Sequence, residues 1–383
     1  MSEFLKKQYK NLIETQSIDP YDYAKYKVKR GLRYDNGTGV LVGLTKVADV
    51  SGYYIENDIK VPKEGNLYYR GIDIKNVVNL SKESFGYENT CFLLLFGHFP
   101  NEEEKVEFKK VICDEYELPD GFLENIILKS PSKSLMNHIT RCILSLYSFD
   151  DNPDNLDSYN LIKKGISIIA KMPSIISYSL QAKKHYLDKG DLHIHHPKKE
   201  YSLAENILYL SRNDGKFSDE EAKILDKTLS VHADHGGGNN SAFVGTVASS
   251  TLTDLYSMIA ASMISLKGPR HGGANMAVLD MMNQVISDIG LNASDAEIEN
   301  IIDKMLNKEY FDNTGLIYGV GHAIYTLSDP RCSILKEEAY KLSVINNNKK
   351  FEFYNRFEKI AIAKLEEKKK SKSCANVDFY SGL

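Results

Sequence analysis

The sequence lacks several features that would assign it to a particular class of protein. It has no tryptophan, and its five cysteines are scattered without CxxC spacing, which favours reduced thiols in a cytoplasm. The N-terminal stretch MSEFLKKQYKNLIETQ mixes acidic and basic residues without an apolar centre, so we expect no signal peptide there. The longest apolar run, near CFLLLFGHF, is too short to span a bilayer. These absences predict a cytoplasmic protein with no membrane partner.

Charge and motifs exclude further classes. The net charge of -4 gives no reason to expect a nucleic acid as partner. The zinc and calcium patterns HExxH, CxxC and the EF-hand loop are absent, as are GxGxxG for nucleotides and GxSxG for serine hydrolases. The HIHH run at 193–196 has no acidic or cysteine partner nearby and lies beside PKKE, which is typical of a solvated loop. We therefore predict no metal and no cofactor.

The remaining patterns predict a mainly α-helical protein. At 383 residues the chain is long enough for one large and one small domain. Apolar residues recur with a helical period beyond about residue 75, and the pairs Ser218–Glu221 and Ser294–Glu297 have capping-box spacing at helix starts. Pro330 after Asp329 is typical of a helix start as well. Before these helices, YDNGTGVLVGL reads as a turn leading into a strand, and short β-like pieces predict a small β-meander at about 39–72.

Four glycine-rich blocks interrupt the helical pattern and carry the polar residues that suggest chemistry. Each places a histidine, arginine or aspartate at a bend or a helix end, and together they favour an active site over isolated structural histidines. The blocks are VHADHGGGNNSA (231–242), KGPRHGGAN (267–275), GLIYGVGHAIYTLSDPR (315–331) and CANVDFYSGL (374–383).

Two of these histidine blocks can be interpreted from the residues alone. On a helix His232 and His235 would share a face, as metal ligands can, but the glycines that follow indicate a helix end opening onto a ligand. His271 precedes a helical pattern, and a histidine at a helix start tends to stay neutral and to donate a hydrogen bond. Removing a proton next to a carbonyl requires such a donor, because a carboxylate is too weak a base unless the enolate is stabilised as it forms. We therefore interpret His271 as an electrophile.

At these four blocks the sequence resembles the citrate synthase family, in the family's order and roughly its spacing. LYYRGIDI (67–74) and SLAENILYL (202–210) resemble family segments upstream, so the resemblance covers most of the chain. It implies a two-domain helical fold, with a large domain at 1–273 that includes the meander and a small domain at 274–383. It also implies a homodimer and an acyltransferase of the tricarboxylic acid cycle that condenses acetyl-CoA with oxaloacetate to citrate and CoA.

The resemblance implies a role for each site residue. His271 would stabilise the enol of acetyl-CoA, Asp378 would take the methyl proton, and His322 would polarise the oxaloacetate ketone. The citryl-CoA formed would then be hydrolysed. The residues implied for substrate binding are His235, Arg331 and Asn239, and those for CoA are Gly319, Gly321 and Asn376.

Two alternatives remain open at this stage. The chain could be a 2-methylcitrate synthase that uses propionyl-CoA, or a truncated or non-catalytic relative. It ends at Leu383, five residues after Asp378, whereas family members continue with helices that return to the large domain and carry two further arginines. We expect this chain to turn over slowly, since the charge of oxaloacetate would be only partly compensated.

Overall fold

The computed structural model describes residues 21, 25, 45–57, 59–80, 85–268, 271–345 and 347–383. The residues from Val42 to Leu383 form one compact unit. The predicted turn and strand at 34–44 fall outside the described residues. The predicted division at residue 273 stays a prediction. Within the described part of the chain, no helix has the length and apolar character needed to cross a bilayer.

A three-stranded antiparallel sheet in the order β1-β2-β3 opens the described chain. Its strands are β1 (Ala48–Glu56), β2 (Ile59–Tyr69) and β3 (Ile72–Asp73). The predicted β-meander is confirmed, and its first described strand begins at Ala48. The predicted start near residue 39 lies outside the described residues. The β1–β2 ladder is interrupted by a bulge, because Ser51 pairs with Asn66 whereas Tyr53 pairs with Pro62.

The rest of the described chain is mostly helical, as predicted. A π-helix covers Leu123–Leu128 and a 3-10 turn covers Tyr147–Phe149. The α-helices in chain order are α1 (Ile74–Leu80), α2 (Gly86–Phe96), α3 (Glu102–Asp114), α4 (Leu135–Leu146), α5 (Ser158–Tyr186), α6 (Leu203–Ser211), α7 (Asp219–His232), α8 (Asn240–Ser249), α9 (Leu255–Leu266), α10 (Ala274–Ile289), α11 (Asp295–Leu306), α12 (Pro330–Ile345), α13 (Lys350–Lys369) and α14 (Asp378–Ser381).

The predicted helix starts are confirmed. Ser218 and Glu221 form a reciprocal capping box at the start of α7, and Ser294 and Glu297 do the same for α11. Each box satisfies two backbone groups that the first turn of a helix leaves without partners. The start of α12 at Pro330 also matches the sequence pattern.

The apolar faces of these helices pack into three clusters of buried side chains. One joins the β1–β2 hairpin to α1 and α10–α14 and includes Leu67, Met281 and Phe357. A second joins the π-helix to α4, α5 and α9, and a third joins α2, α3 and α5. The candidate site residues Arg331 and Asp378 lie on α12 and α14, which both pack into the first cluster.

Two buried carboxyl groups lie where α2, α6 and α7 meet. Glu88 accepts a hydrogen bond from the backbone N–H of Leu203 at 2.7 Å, and Asp226 accepts one from that of Tyr87 at 3.1 Å. Burial, together with the charge of Asp226, raises the pKa of Glu88 to about 8. Burial raises the pKa of Asp226 to about 7. Near pH 6, both groups are therefore mostly protonated in the folded chain and mostly ionised in the unfolded chain.

This pair predicts that stability falls as the pH rises. Between the ordinary glutamate pKa of 4.5 and the folded value of about 8, the folded state binds more protons, so the free energy of unfolding decreases with pH. We expect the Tm to fall between about pH 5 and pH 8, and to fall less in Glu88→Gln. Thermal unfolding across that range checks this, with the exposed Glu103→Gln as the control. The same pH dependence in wild type and Glu88→Gln would contradict the assignment.

Candidate active site

The HADH block forms a loop that begins where α7 ends at His232, so the predicted helix end is confirmed. The buried hydroxyl of Tyr69 on β2 anchors this loop. It lies 3.0 Å from the carbonyl oxygen of Asp234 and 3.1 Å from that of Ser230, and it accepts a hydrogen bond from the N–H of Asp234 at 3.1 Å. The carboxylate of Asp234 in turn accepts from the N–H of Gly236 at 2.8 Å. These bonds fix the backbone on both sides of His235.

His235 lies among the rings of the GVGHAIY block. Its ring centroid is 5.3 Å from that of His322 and 5.4 Å from that of Tyr325. Burial, reinforced by the positive charge of Arg331, holds the pKa of His235 well below its ordinary value. The imidazole is therefore neutral near pH 7. Its Nε2 atom and the Tyr325 hydroxyl are both buried without a hydrogen-bond partner in the described structure.

Two backbone bonds determine the tautomer of His322. Its Nδ1 atom accepts hydrogen bonds from the N–H groups of Ile324 and Tyr325, each at 3.1 Å. A nitrogen that accepts cannot carry the ring proton, so neutral His322 has its proton on Nε2. The ring of Tyr325 lies 4.8 Å from that of His322. His322 is thus held as a donor through Nε2.

Arg331 is buried and paired with Asp329, two residues before it. Its Nε and Nη2 atoms donate to the two carboxylate oxygens of Asp329 at 3.1 and 2.8 Å. Although burial opposes the charge, this pairing raises the pKa of Arg331 above its ordinary value. Asp329 also accepts from the N–H of Val377 at 3.1 Å, the residue before Asp378. One carboxylate therefore ties the DPR turn to the NVD segment.

The segments 319–321 and 374–376 run side by side. The N–H of Asn376 donates to the carbonyl of Gly319 at 2.9 Å, and its side-chain amide donates to that of Gly321 at 2.9 Å. Both glycines have positive φ values of 80° and 96°, which favour glycine. A Cβ at Gly319 would lie 2.8 Å from the Phe379 ring, whereas one at Gly321 would meet nothing within 4 Å. A larger residue at position 319 would therefore collide with Phe379, whereas the space next to the Gly321 Cα atom is open.

Asp378 follows this ladder as the first residue of α14. Its N–H donates to the side-chain oxygen of Asn376 at 3.0 Å. Burial raises the pKa of Asp378 to about 6, with Arg331 opposing the shift and Asp329 adding to it. The carboxyl is thus ionised at neutral pH and close to the pKa range in which a general base works well.

His271 lies just before α10 and contacts the start of α8. Burial lowers its pKa, so its ring is neutral at pH 7. Its Nε2 atom lies 2.8 Å from the hydroxyl of Ser241, which lies 2.9 Å from the side-chain oxygen of Asn239. If the Ser241 proton goes to His271 Nε2, Nδ1 carries the ring proton and is a donor. If it goes to Asn239, Nδ1 is an acceptor.

Asn239 also has a structural role that the sequence analysis missed. Its side-chain oxygen accepts from the N–H of Ala242 at 2.8 Å and caps α8, while its amide donates to the carbonyl of Gly236 at 2.7 Å. These bonds link the HADH loop to α8, which carries Ser241. Binding of substrate by Asn239 stays a prediction.

The HIHH run does not gather with other ligand side chains. His195 Nε2 lies 3.2 and 3.1 Å from the carbonyl oxygens of Arg212 and Asn213. Over the described ranges, no three His, Cys, Asp or Glu side chains are grouped as a metal site would require. Pro269 and Arg270 of the KGPRHGGAN block lie outside the described residues.

The structure brings most of the predicted site residues together. The rings of His235 and His322 lie 5.3 Å apart, and the charge of Arg331 acts on the pKa values of both His235 and Asp378. The sequence analysis missed Tyr69, Ser241 and Tyr325. Ser241 and Tyr325 lie inside two of the glycine-rich blocks, and Tyr69 lies inside the LYYRGIDI segment, so the position of each residue was a visible signal. Asp329 was predicted only as a helix start, although its position beside Arg331 suggests an ion pair.

A comparison of the sequence with protein families shows the family to which the chain belongs. The family model described as "Citrate synthase, C-terminal domain" matches residues 36–383. The chain belongs to the citrate synthase family.

Named relatives and solved structures agree with this assignment. Citrate synthase 2 of Bacillus subtilis is 31% identical over 324 residues, covering 83% of this chain and 78% of the relative. The citrate synthase of Saccharolobus solfataricus is 30% identical, covering 84% and 78%. The crystal structure of citrate synthase from Pyrobaculum aerophilum matches with a TM-score of 0.72 and 26% identity, covering 90% of this chain and 80% of that one. The predicted family, the mainly α fold and the predicted enzyme class are confirmed.

Loss of the Asp329 charge should destabilise the chain. Asp329→Asn leaves a buried guanidinium without its counter-charge, and we expect the free energy of unfolding to fall by about 3 kcal/mol or more. The matched control is Asp295→Asn, which breaks the exposed pair with Arg356 and should cost about 1 kcal/mol or less. Urea unfolding of both variants measures the difference. Equal losses of unfolding free energy would show that the buried Asp329–Arg331 pair stabilises the chain no more than the exposed Asp295–Arg356 pair.

Proposed function

We propose that this chain condenses acetyl-CoA with oxaloacetate and releases citrate and CoA, the reaction at the entry of the tricarboxylic acid cycle. The observation that carries the proposal is the gathering of two histidines and one carboxylate around one buried arginine. His322 has a fixed donor tautomer, His235 is neutral, and Asp378 has a raised pKa of about 6. Membership of the citrate synthase family supports the same reaction.

In the first step Asp378 takes a proton from the methyl group of acetyl-CoA. Its pKa of about 6 leaves it ionised at neutral pH, while the methyl group is a far weaker acid. His271 stabilises the enolate left by this step by donating a hydrogen bond to the thioester oxygen, which requires the arrangement in which Ser241 donates to Nε2. Nδ1 is then the donor, and no full charge has to form on the imidazole.

In the second step the carbon of this enolate attacks the ketone of oxaloacetate and forms the new carbon–carbon bond. His322 donates its Nε2 proton in a hydrogen bond to the ketone oxygen as negative charge develops there. The carboxylates of oxaloacetate require donors, and the Arg331 guanidinium has three N–H groups besides the two that donate to Asp329. The buried His235 Nε2 and Tyr325 hydroxyl lack partners within the described chain, which also favours a polar ligand here.

The glycine turn at 319–321 is the proposed binding site of CoA. The open side of Gly321 suits the close approach of the pantetheine arm, with Asn376 bound beside it and Gly319 supporting the turn. Hydrolysis of citryl-CoA then releases both products. The groups named supply acid–base catalysis throughout, so we propose that no metal or cofactor takes part.

A homodimer is part of the proposal. Helices α8 and α9 pack closely, since a Cβ at Gly245 would lie 2.7 Å from the Ser262 hydroxyl. The pair leaves apolar side chains in solvent, with Val247 50% exposed, Ile264 62% and Leu252 77%. Exposed apolar groups on one helix pair favour a protein partner, and a second copy would bury the same helices on both sides. The five free, buried cysteines support a reducing, cytoplasmic location.

Thiol release tests the proposed reaction. We expect free CoA to appear when the chain is given acetyl-CoA and oxaloacetate, and His322→Gln to lower the rate by about 100-fold through loss of the ketone donor. The control is His98→Gln, an exposed histidine that pairs with Glu104. Faster release from propionyl-CoA would indicate a 2-methylcitrate synthase. No release from either thioester would indicate a non-catalytic relative, and an unchanged rate in His322→Gln would refute the role of His322.

Light scattering tests the dimer. We expect wild type to have twice the monomer mass, and Val247→Asp combined with Ile264→Asp to be monomeric, because each charge would be buried without a partner. Val111→Asp on α3 is the control, since Val111 is also an exposed apolar residue. A wild-type monomer would contradict the proposal.

A further inference from the structure

We propose that the bulge in the β1–β2 hairpin is the positioning element that fixes His322 relative to His235, with Gly52 and Thr326 as its main residues. The proposal deepens the function proposed above and depends on the role of His322 in it. The segment positioned is the His322 loop, defined as residues 322–328. It connects the GVG turn to the DPR turn and carries His322 at its first position.

The bulge creates a local gap in the ladder. Between the pairs Ser51–Asn66 and Tyr53–Pro62, one residue of β1 faces three residues of β2. Backbone carbonyl and N–H groups in such a gap are released from pairing within the sheet and need other partners. The His322 loop supplies these partners, although it lies more than 260 residues further along the chain.

Two glycines allow the loop to lie directly on the strands. A Cβ at Gly52 would lie 2.6 Å from both the carbonyl oxygen of Ile324 and the Cα atom of Tyr325. A Cβ at Gly65 would lie 2.6 Å from the Tyr325 ring. Neither glycine has a positive φ value, so close approach, rather than backbone conformation, accounts for both.

Side-chain bonds then fix the loop along the bulge. The Thr326 hydroxyl contacts the carbonyl oxygens of Gly52 and Lys63, the latter at 3.2 Å, and so bridges the two strands where they separate. The N–H of Gly65 donates to the Ser328 hydroxyl at 3.1 Å. These contacts hold the part of the loop that follows Tyr325.

The contact of the His322 loop with the bulge directly affects His322. The residues pressed against Gly52 are Ile324 and Tyr325, whose N–H groups donate to His322 Nδ1. Displacing their backbone would move the two donors that determine the tautomer and orientation of the ring. The hairpin thus acts on the proposed ketone donor through the backbone of Ile324 and Tyr325.

The same hairpin also holds the other histidine. A Cβ at Gly236, next to His235, would lie 3.3 Å from the Val50 side chain on β1, and Tyr69 on β2 anchors the backbone of Asp234. Both histidine loops therefore take their positions from one two-stranded element. This common support accounts for the 5.3 Å separation of two rings that are 87 residues apart, from 235 to 322.

The test compares Gly52→Ala and Thr326→Val with matched controls. Gly52→Ala should lower kcat by about 100-fold, because small displacements of a catalytic group have effects of this size. Thr326→Val should lower kcat and raise the KM for oxaloacetate about tenfold, with little change in the KM for acetyl-CoA, since one bridging hydrogen bond is lost. Thr326→Ser, which keeps the hydroxyl, should restore most of the activity.

The controls repeat the same chemical changes elsewhere. Gly165→Ala adds a methyl group that meets nothing within 4 Å, and Thr140→Val removes a hydroxyl bonded to the carbonyl of Met136 at 2.7 Å. Both should leave the kinetics unchanged. If Gly52→Ala and Thr326→Val lower only the Tm while kcat and both KM values stay at wild-type levels, the hairpin is merely structural and the proposal is wrong.

A second measurement separates this proposal from the proposed function. The ¹⁵N resonances of labelled histidines report which ring nitrogen carries the proton, whether or not the chain is active. The Nδ1 resonance of His322, assigned through His322→Gln, should shift in Gly52→Ala and Thr326→Val but not in the controls. An inactive wild type whose variants show this shift would refute the proposed function alone. Unchanged resonances would refute the positioning role.

Discussion

Burial of the Arg331 guanidinium is the constraint on which the rest of the site depends. An unpaired cation at this depth would cost several kcal/mol, so the chain must supply a counter-charge. Asp329 does so from two residues away, through both of its oxygens. Because one of these oxygens also accepts from the N–H of Val377, the ion pair determines where Asp378 begins its short helix. The Asp329 carboxylate thus both compensates the charge of Arg331 and positions the segment that carries Asp378, the proposed base.

The histidines depend on the same local electrostatics. Burial and the charge of Arg331 act in one direction on His235 and keep its ring neutral. Asp378 responds oppositely, because burial favours its protonated form while Arg331 favours its charged form. A site with one compensated cation therefore contains neutral donors and a carboxylate that is still a base near pH 7.

Sequence patterns located the chemistry but only part of its support. Glycine-rich blocks beside His235, His271 and His322 marked the bends, and serine–glutamate spacing marked two helix starts, because both signals are local. The contacts of Tyr69 with the HADH loop and of Gly52 with the His322 loop join residues more than 160 positions apart. A single sequence holds no record of such pairs, since each residue reads locally as an ordinary strand position.

The same distinction explains why Asn239 and Gly319 acquired roles that their motifs did not suggest. Asparagine beside histidine in a glycine-rich block suggests a ligand contact, yet its carbonyl oxygen caps α8 and its amide holds the HADH loop. Gly319 lies in a turn that suggests backbone contact with CoA, yet the Phe379 ring already fills the space beside it. A motif records which residue types a site needs and does not separate those that meet the substrate from those that hold its neighbours. The Asn239 side-chain oxygen already accepts a hydrogen bond from the N–H of Ala242, whereas His235 Nε2 and the Tyr325 hydroxyl have no hydrogen-bond partner within the described residues. The atoms that still need a partner define the part of the pocket that a polar substrate would complete.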